Sequence, residues 1–352
     1  MTSHHPRKRR ILYIGNPRPG QTSAYRMESL RRLAQDVVVF DVPAHLGGSK
    51  LVGVLRSRFP EGPLVSRINR QLLHAVDEHQ PDVVFFDKPI YFTRSTIAAI
   101  KRRRALTVSY NQDNPFGPRK DGVWRQFYKV FRLFDLHCLF RKADVARYQT
   151  WGLNFIETMF SFDPVMQFPP PVGWSDTNRT REVSYIGSPL EDRPQFLWDL
   201  AERHQVPISI SGPRWEKFFS EELRSRYVTH GYLKDSEYRE NIWKSKINLG
   251  FITHKNEDDI GHKSIEIAAC QSFLLAVRSA GHAACFEEDQ EAVFFSSLEE
   301  CADKSRFYLD RPDLRQAIAL RARARVVRSG YDNDSQLARI LNKLDGQEPA
   351  KT

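Results

Sequence analysis

A short segment in the second half of the chain, residues 258–266, combines side chains suited to a phosphorylated and hydroxylated ligand. It reads DDIGHKSIE and continues into the apolar run IAACQSFLL. Gly261, Lys263 and Ser264 are predicted at a helix N-terminus, where backbone N–H groups and an ammonium group would hold phosphate. Glu266 lies one turn further on among apolar residues, and burying an unpaired carboxylate is costly. We therefore expect Glu266 to accept hydrogen bonds from ribose hydroxyls, and a helix-capping role is the alternative.

Three further loops of the second half place polar or glycine residues directly after predicted strands. YIGSPLEDR puts Gly187 and Ser188 at a strand end and Arg193 in the first turn of the next helix. A guanidinium group matches phosphate oxygens in a bidentate fashion, so we expect Arg193 to contact a diphosphate; an exposed helix arginine is the alternative. Gly212 in ISGPRW ends another strand, and Tyr232 in HGYLKDSEY precedes a helix. These residues are candidates for binding a nucleotide.

The first half of the chain offers a second set of polar residues after its strands. GNPRPGQTSAYR follows the first strand and leads into a helix that we expect to be capped near Thr22 or Ser23. Gly15, Asn16 and Arg18 in this turn suit an anion or a sugar hydroxyl, and an ordinary tight turn is the alternative. The segment lacks the G-x-G-x-x-G spacing of dinucleotide sites.

Polar side chains also follow the third and fourth predicted strands. Asp87 and Lys88 come after the third strand, and Asp113 comes after the fourth. These groups would hydrogen-bond a hydroxylated ligand, and Asp113 would act as a general base. Asx turns beside the nearby prolines are the structural alternative.

Metal binding is not expected. Residues 332–334 read DND, a D-x-D form found in some metal sites, but their position just before a helix favours a capping role. Cys138, Cys270, Cys285 and Cys301 show no C-x-x-C pairing and no nearby histidine cluster. A structural zinc site is therefore not predicted, and the cysteines are expected to be reduced core residues of a cytoplasmic protein.

The elements that must position these residues alternate along the whole chain. Short runs rich in β-branched and aromatic residues are predicted as strands, and amphipathic segments at 64–79, 93–103, 311–328 and 335–344 are predicted as helices. Near-continuous apolar strands separated by helices indicate parallel sheets that are covered on both faces. The predicted strands are 11–15, 37–42, 82–87, 106–111 and 136–140, then 183–188, 208–212, 246–251, 273–277 and 292–296.

A proline-rich segment interrupts this alternation near the middle of the chain and is predicted to be a stiff connector. The expected organisation is a first domain at 1–165, a linker at 166–182 and a second domain at 183–330. A C-terminal helix and tail at 331–352 would cross back to the first domain. Two doubly wound α/β domains of this kind bind ligands at the carboxyl ends of their strands.

The chain has a formal net charge of +10, with basic clusters at 7–10, 101–104 and 321–328. One interpretation is solvated helix faces and a loose tail; the others are attraction to an anionic membrane or to a phosphorylated substrate. Nucleic acid is not an expected partner, because no zinc-finger, RNP or recognition-helix pattern accompanies the charge. No stretch reaches the roughly 18 apolar residues that span a bilayer. A cytoplasmic protein is expected, with peripheral contact at the inner face of the membrane left open.

The second half resembles the CgeB-like, spore-maturation branch of the group 1 glycosyltransferases, which have the GT-B fold. The hallmark of that family has the form R-x-F-E-I-x-A-C-G-x-F-L-L, and residues 263–275 read KSIEIAACQSFLL. VSYIGSPLEDR, HGYL, SKINLGF and EAVFFSSLEE agree as well, and NQDNPFG and FSFDPVMQFP resemble its first-half loops. The likeness is strong over 183–310. It implies two Rossmann-like domains facing a central cleft, the first for an acceptor and the second for a nucleotide sugar.

The resemblance also implies a role for each matched residue. Glu266 would hold the nucleotide ribose, and Arg193 and Lys263 would neutralise the diphosphate. Gly187 would let the backbone approach that diphosphate. Asp258, eight residues before Glu266, takes the place of an acidic residue that contacts the donor sugar, and with Asp113 it is a catalytic candidate.

The expected function is therefore metal-independent transfer of a sugar from a nucleoside-diphosphate sugar to a glycan, lipid-linked or small-molecule acceptor. The family parentage implies retention of configuration, whereas Asp113 as a base would suit inversion. Three positions depart from the family pattern: Lys263 replaces arginine, Gln271 replaces glycine and Asp258 replaces glutamate. These departures motivate a second hypothesis, a non-catalytic module that binds a nucleotide or a sugar nucleotide.

Overall fold

The computed structural model describes residues 8–47, 62–118 and 122–345. The chain divides into two compact units, and each is built on one six-stranded sheet. The first unit comprises residues 1–159, 255–257 and 333–352, and the second comprises 160–254 and 258–332. Arg7 of the first basic cluster lies outside the described residues.

The first unit contains a parallel sheet in which all strands run in the same direction. Its strands are β1 (Arg10–Gly15), β2 (Asp36–Asp41), β3 (Val83–Asp87), β4 (Leu106–Tyr110), β5 (Leu136–Leu139) and β6 (Phe155–Glu157). Its helices before the second unit are α1 (Thr22–Leu33), α2 (Val42–Leu46), α3 (Pro63–His79), α4 (Arg94–Arg102), α5 (Arg125–Tyr128) and α6 (Lys142–Thr150). The strand order is β2-β1-β3-β4-β5-β6. Buried strand residues such as Leu12 and Phe86 share one core with Ile68 and Leu72 of α3.

The second unit repeats this plan with a sheet of order β12-β11-β10-β7-β8-β9, again parallel throughout. Its strands are β7 (Arg181–Ile186), β8 (Ile208–Ser211), β9 (Val228–His230), β10 (Ser245–Gly250), β11 (Leu274–Val277) and β12 (Val293–Phe295). Its helices are α7 (Arg193–Glu202), α8 (Glu221–Tyr227), α9 (Asp235–Trp243), α10 (His262–Ala269), α11 (Ala280–Cys285), α12 (Leu298–Leu309) and α13 (Pro312–Arg328). Val183, Ile247 and Leu275 of the sheet pack with Leu197 of α7 in its core.

The strand orders place a topological switch point in each unit. In the first unit β2 and β3 lie on opposite sides of β1, and in the second unit β8 and β10 lie on opposite sides of β7. The loops that leave two neighbouring strands at such a point diverge and open a crevice at the carboxyl edge of the sheet. Ligand sites are therefore expected after β1 and β3, and after β7 and β10.

The last helix, α14 (Asn333–Asp345), belongs to the first unit and packs against α1. Asp334 in its first turn pairs with Arg32 of α1 at 2.6 Å and accepts a hydrogen bond from Ser29. Asp345 at its end pairs with Arg9 at 2.8 Å. The DND segment thus contributes its last carboxylate to helix packing. Within the described residues, no group of three histidine, cysteine or acidic side chains is arranged to hold a metal ion.

The structure contains every predicted strand and adds two, β6 and β9, which are edge strands of three residues each. They escaped prediction because three residues carry too little periodicity. The expected cap near Thr22 or Ser23 is wrong. Gln21 occupies the N-cap position without a side-chain capping bond, and Ser23 Oγ instead accepts the backbone N–H of Asn16.

The four cysteines are free and buried. Among the described helices, none combines the length and the apolar character needed to cross a membrane.

Candidate functional site

A cavity of about 740 Å³ lies in the first unit beside the carboxyl ends of β1 and β3. Its polar lining includes all the residues predicted to bind an acceptor, and also Asp113. The other wall is largely apolar, from α2 and from the loop after β3. The predicted lining residues are Gly15, Asn16, Arg18, Asp87 and Lys88, and the apolar wall is formed by Val42, Pro43, Leu46, Ile90 and Tyr91.

Asp87 is the most tightly held polar group of this cavity. Its Oδ2 accepts hydrogen bonds from Arg26 Nε at 2.9 Å, from Arg26 Nη2 at 2.7 Å and from the Tyr13 hydroxyl at 2.5 Å. Asp87 Oδ2 and the Ser23 carbonyl oxygen, 2.8 Å from the Tyr13 hydroxyl, can only accept, so both receive from Tyr13 and Ser23 Oγ donates to Tyr13 at 2.8 Å. Ser23 Oγ in turn accepts from Asn16 N–H at 3.0 Å. One chain of hydrogen bonds therefore links the turn after β1 to the end of β3.

The protonation states in this chain follow from burial and charge. The pKa of Tyr13 is raised well above its usual value by burial and by the neighbouring Asp87 carboxylate, so its hydroxyl stays protonated. Burial opposes the charged form of Arg26, but Asp87 and two tyrosines outweigh it and raise the pKa of Arg26. The side chains of Arg26 and Asp87 are only 4% and 8% exposed, so the pair is desolvated.

Gly15 contributes to this site through the absence of a side chain. A Cβ atom at position 15 would lie 2.6 Å from Ser23 Oγ and 2.7 Å from the ring of Tyr13. Glycine therefore lets the end of β1 approach the start of α1.

Lys88 and Asp113, which also line the cavity, form an ion pair in which Lys88 Nζ lies 2.6 Å from Asp113 Oδ2. This ion pair occupies one oxygen of the carboxylate that is predicted to act as a general base.

The second unit brings Glu266 to the carboxyl edge of its sheet, as the sequence predicts. Gly261 is the N-cap of α10 and makes no side-chain capping bond, and Glu266 lies beyond the first turn. The carboxylate is buried, accepts a hydrogen bond from the Tyr238 hydroxyl at 2.5 Å and lies 3.8 Å from His262 Nε2. The capping alternative is thus wrong for Glu266, since its partner is a side chain of α9.

Lys263 interacts electrostatically with this carboxylate and with a second cation, Arg193. Lys263 Nζ lies 4.7 Å from the centroid of the Tyr238 ring, and burial together with the charge of Arg193 lowers its pKa, although Glu266 acts in the opposite direction. Arg193 is the first residue of α7 and is 7% exposed. Each positive charge makes the other less favourable, so an anion bound near both would relieve their repulsion.

Arg193 is not the exposed helix arginine of the alternative interpretation. Its guanidinium donates to the Tyr185 hydroxyl at 3.1 Å, to Ile252 O at 2.7 Å and to Thr253 Oγ1 at 3.0 Å. All three acceptors are neutral, and the buried Nε atom has no partner among the described residues. Arg193 therefore ties the end of β7 to the loop after β10 and keeps an uncompensated charge.

The two strand-end glycines support the same edge through close packing. A side chain at Gly212, whose φ is +147°, would collide with the carbonyl group of Gly187. The backbone N–H of Gly187 donates to Ser211 O at 2.8 Å. Ser188 Oγ accepts from Arg214 Nη2 at 3.2 Å, which places a further cation beside the turn after β7.

Ser264 occupies a different role from the predicted one. It is fully buried, and its Oγ lies 2.8 Å from His282 Nε2, while His282 Nδ1 lies 2.8 Å from Val277 O. Since Nδ1 must donate to the carbonyl oxygen, Nε2 accepts and Ser264 donates. Its hydroxyl thus fixes the start of α10 instead of facing a ligand. Burial lowers the pKa of His282 to about 4, so the imidazole stays neutral.

The two remaining predicted residues lie in loops at the same edge. Tyr232 is 54% exposed and lines a separate cavity of about 310 Å³ with Gly231 and Asn241. Asp258 lies between β10 and α10, and its backbone N–H donates to Thr253 O at 3.1 Å.

Several residues of these sites were not predicted from the sequence. Tyr13, Arg26, Tyr238, Arg214 and His282 each hold a predicted residue in place. Tyr13 and Arg26 offered a signal, because both belong to elements that flank the turn after β1. Tyr238 offered none, since its partner lies 28 residues away.

Comparison with known proteins agrees with this architecture. Residues 193–342, which contain Arg193, Lys263 and Glu266, match the family described as "Glycosyl transferase-like". A search of curated proteins gives no significant match.

Among solved structures, Anabaena Alr3699/HepE in complex with UDP and glucose is 14% identical with a TM-score of 0.64, covering 96% of this chain and 100% of that one. Sucrose-phosphate synthase from Thermosynechococcus elongatus is 12% identical with a TM-score of 0.69, covering 96% and 99%. A glycosyltransferase from Rickettsia africae is 12% identical with a TM-score of 0.65, covering 96% and 98%. The chain has the GT-B fold.

Proposed function

We propose that this protein is a glycosyltransferase that moves a sugar from a nucleoside-diphosphate sugar to a hydroxylated acceptor. The observation that carries the proposal is the cluster of Glu266, Lys263 and Arg193 at the carboxyl edge of the second sheet. It combines a buried carboxylate suited to ribose hydroxyls with two mutually repelling cations suited to a diphosphate. The match of residues 193–342 and the UDP-glucose complex of the similar HepE structure support it. We also assign the chain to the CgeB-like branch on the motif at 263–275.

The mechanism follows from where charge develops. As the bond to the sugar breaks, negative charge grows on the departing diphosphate, and fixed positive groups lower the barrier. Lys263, Arg193 and the N-terminus of α10 would supply that charge without a metal ion, and Asp258 would contact the donor sugar. We propose retention of configuration, because the family resemblance of the motif at 263–275 implies it and the Asp113 carboxylate is held in an ion pair with Lys88. The cavity of the first unit would receive the acceptor.

Contact with an anionic membrane at the cytoplasmic face is a further part of the proposal. Much of the basic sequence is used within the fold: Lys101 pairs with Asp135 and Arg103 with Asp77. Arg102 and Arg104 of the same cluster are exposed. Sedimentation with phosphatidylserine vesicles, compared with phosphatidylcholine vesicles, would test this contact.

The central test is nucleotide binding by a Glu266→Gln variant, which keeps the shape of the side chain. Losing a charged acceptor for ribose hydroxyls is worth about 1.5–3 kcal/mol, so UDP or GDP affinity should fall roughly 10- to 100-fold by calorimetry. Glu288→Gln is the matched control, because Glu288 is an arginine-paired glutamate of the same unit. Unchanged affinity in Glu266→Gln, with both variants folded, contradicts the assignment.

Turnover separates the enzyme from the binding module. Each of UDP-, GDP-, TDP- and CMP-linked sugars is incubated with the protein and an acceptor panel, with and without EDTA, and the anomeric configuration of the product is read by NMR. Transfer that resists EDTA and retains configuration is expected. Tight nucleotide binding without hydrolysis or transfer from any donor would favour the non-catalytic module.

A further inference from the structure

The Asp87 carboxylate presents its two oxygens to different surroundings. Every hydrogen bond that it receives from the described residues ends on Oδ2, from Tyr13 and from two nitrogens of Arg26. No described group donates to Oδ1, yet this oxygen is not a buried atom that lacks a partner. Asp87 lines the cavity of about 740 Å³, so Oδ1 is the oxygen that a ligand in the cavity can reach.

The charge of this group is already balanced. Arg26 neutralises Asp87 within the fold, and Tyr13 remains a neutral donor because its pKa is raised. A cationic ligand at Oδ1 would therefore also meet the guanidinium charge of Arg26. A hydroxyl group meets no such repulsion and gains a hydrogen bond to an ionised acceptor, which is stronger than a neutral one. The cavity thus offers a fixed acceptor for hydroxyl groups.

The other residues that line the cavity suit both the apolar faces and the hydroxyl edge of a sugar ring. Leu46, Ile90 and Tyr91 contribute apolar groups to the lining of the cavity, and Asn16 and Gln112 contribute amide groups. A pyranose ring has hydroxyls around its edge and C–H groups on its faces, so it needs both kinds of wall. The volume falls within the roughly 300–1,000 Å³ of small-molecule pockets.

We propose that Asp87 anchors a sugar unit of the acceptor through Oδ1, with the sugar face against the apolar wall of Ile90 and Tyr91. The sugar is called an acceptor only on the strength of the proposed transferase function. Asp87 is proposed as a binding residue and not as a base, because its Oδ2 atom is already occupied by hydrogen bonds from Tyr13 and Arg26. It differs in this from Asp113, whose side chain is 31% exposed beside Lys88.

Saturation-transfer NMR with the methyl glycosides of glucose, galactose, mannose, rhamnose and N-acetylglucosamine tests this inference without any donor. We expect at least one glycoside to bind the wild-type protein. The same glycoside should bind the Asp87→Asn variant at least tenfold more weakly. Asp77→Asn is the matched control, since Asp77 is an arginine-paired aspartate of the same unit that does not line the cavity. It should bind as the wild type does.

The Asp87→Asn variant leaves Arg26 unpaired and can unfold for that reason. Two further variants test the inference in that case. The double variant Arg26→Met with Asp87→Leu removes both charges together, which buried pairs often tolerate. Ile90→Trp fills the apolar side without touching the pair. Both should lose glycoside binding. The inference is overturned if no glycoside binds the wild type, or if any folded variant of Asp87 or Ile90 binds normally.

UDP binding, measured on the same samples, separates this inference from the proposed function. Wild-type protein and all cavity variants should bind UDP equally, because the nucleotide residues belong to the second unit. UDP binding and donor turnover without a glycoside site would leave the transferase standing and refute the sugar anchor. Glycoside binding that depends on Asp87, without binding of any nucleotide, would do the reverse.

Discussion

Each unit begins with a strand and a turn of nearly identical sequence, but the arginine in the helix after each turn has different hydrogen-bond partners. Residues 13–17 read YIGNP and residues 185–189 read YIGSP. In each turn the tyrosine ring lies against the glycine. The Tyr13 hydroxyl and Arg26 both donate to Asp87, whereas the Tyr185 hydroxyl accepts directly from Arg193. In the first unit that arginine, Arg26, is paired with the Asp87 carboxylate. In the second unit Arg193 finds only neutral acceptors.

Under the proposed function, this difference would adapt one scaffold to two ligands. A carboxylate at the end of β3 cancels the charge of Arg26 and leaves an oxygen for hydroxyl groups. Among the described residues, no acidic side chain accepts from Arg193, and the loop after β10 offers a carbonyl and a hydroxyl group instead. Its charge therefore remains available to a diphosphate. The hydrogen-bond partner of the arginine, and not the sequence of the turn, would therefore determine which ligand suits the carboxyl edge of each sheet.

The strongest way to break this comparison is to replace each arginine by methionine. Arg26→Met leaves the buried Asp87 without its partner, so the free energy of unfolding should fall by about 3–5 kcal/mol. Arg193→Met strands no opposite charge, so stability should fall by only about 1–2 kcal/mol, whereas UDP affinity should drop about tenfold or more. Urea unfolding and calorimetry with UDP measure the two effects.

The double variant Arg26→Met with Asp87→Leu is a control for this experiment. Removing Asp87 together with Arg26 should recover most of the stability that Arg26→Met loses, because no charge is then left unpaired. Equal destabilisation by Arg26→Met and Arg193→Met would show that the two arginines do the same work, and the contrast between the turns would fail.

A second contrast concerns the buried histidine of each unit. Burial lowers the pKa of His137 and of His282 to about 4, from an ordinary value of 6.5. Between these values the unfolded chain binds more protons than the folded one. The stability that each neutral imidazole contributes is therefore complete above pH 6.5 and falls by about 3 kcal/mol as the pH drops through 4.

Substitution should separate the two histidines, because only His282 has partners on both ring nitrogens. His137 Nε2 is buried and has no partner in the described part of the chain, and the His137 ring packs against Tyr148 with ring centroids 4.8 Å apart. His137→Phe should reduce the acid sensitivity of the first unit at little cost at pH 8. His282→Phe should destabilise the second unit at both pH values, since Ser264 loses its acceptor. Hydrogen exchange at pH 8 and pH 5 assigns the change to a unit, and identical profiles for both variants would contradict the prediction.

The sequence predicts those features that are local and periodic. Apolar runs located the strands, and the rule that ligands bind after parallel strands pointed to Asp87, Arg193 and Glu266. Their partners could not be predicted in this way. Arg26 and Asp87 are 61 residues apart, and Tyr238 and Glu266 are 28 apart. Only the folded sheet shows which polar groups neutralise one another.

The same limit applies to Ser264, whose hydroxyl contacts a residue that the sequence did not indicate. Its place at a helix N-terminus suited phosphate binding, but α11 brings His282 against it from 18 residues further along the chain. A side chain that helps to bind a ligand and one that helps to hold the helix have the same local sequence. Burial decides between them, and burial depends on the packing of distant elements.

The smallest predicted effect concerns Lys263, whose positive charge lies near that of Arg193 in the second unit. Its pKa is lowered by burial and by Arg193, so a bound diphosphate should be favoured beside it. Lys263→Met should therefore weaken UDP binding by about 1.4 kcal/mol, or roughly tenfold, and leave the much weaker binding of uridine unchanged. Calorimetry with both ligands measures the ratio. Lys246→Met, which removes a lysine paired with Glu182 at 2.9 Å in the same unit, is the control. If UDP and uridine lose affinity equally, Lys263 acts on the shape of the site and not through its charge, and the second edge is not the cationic one.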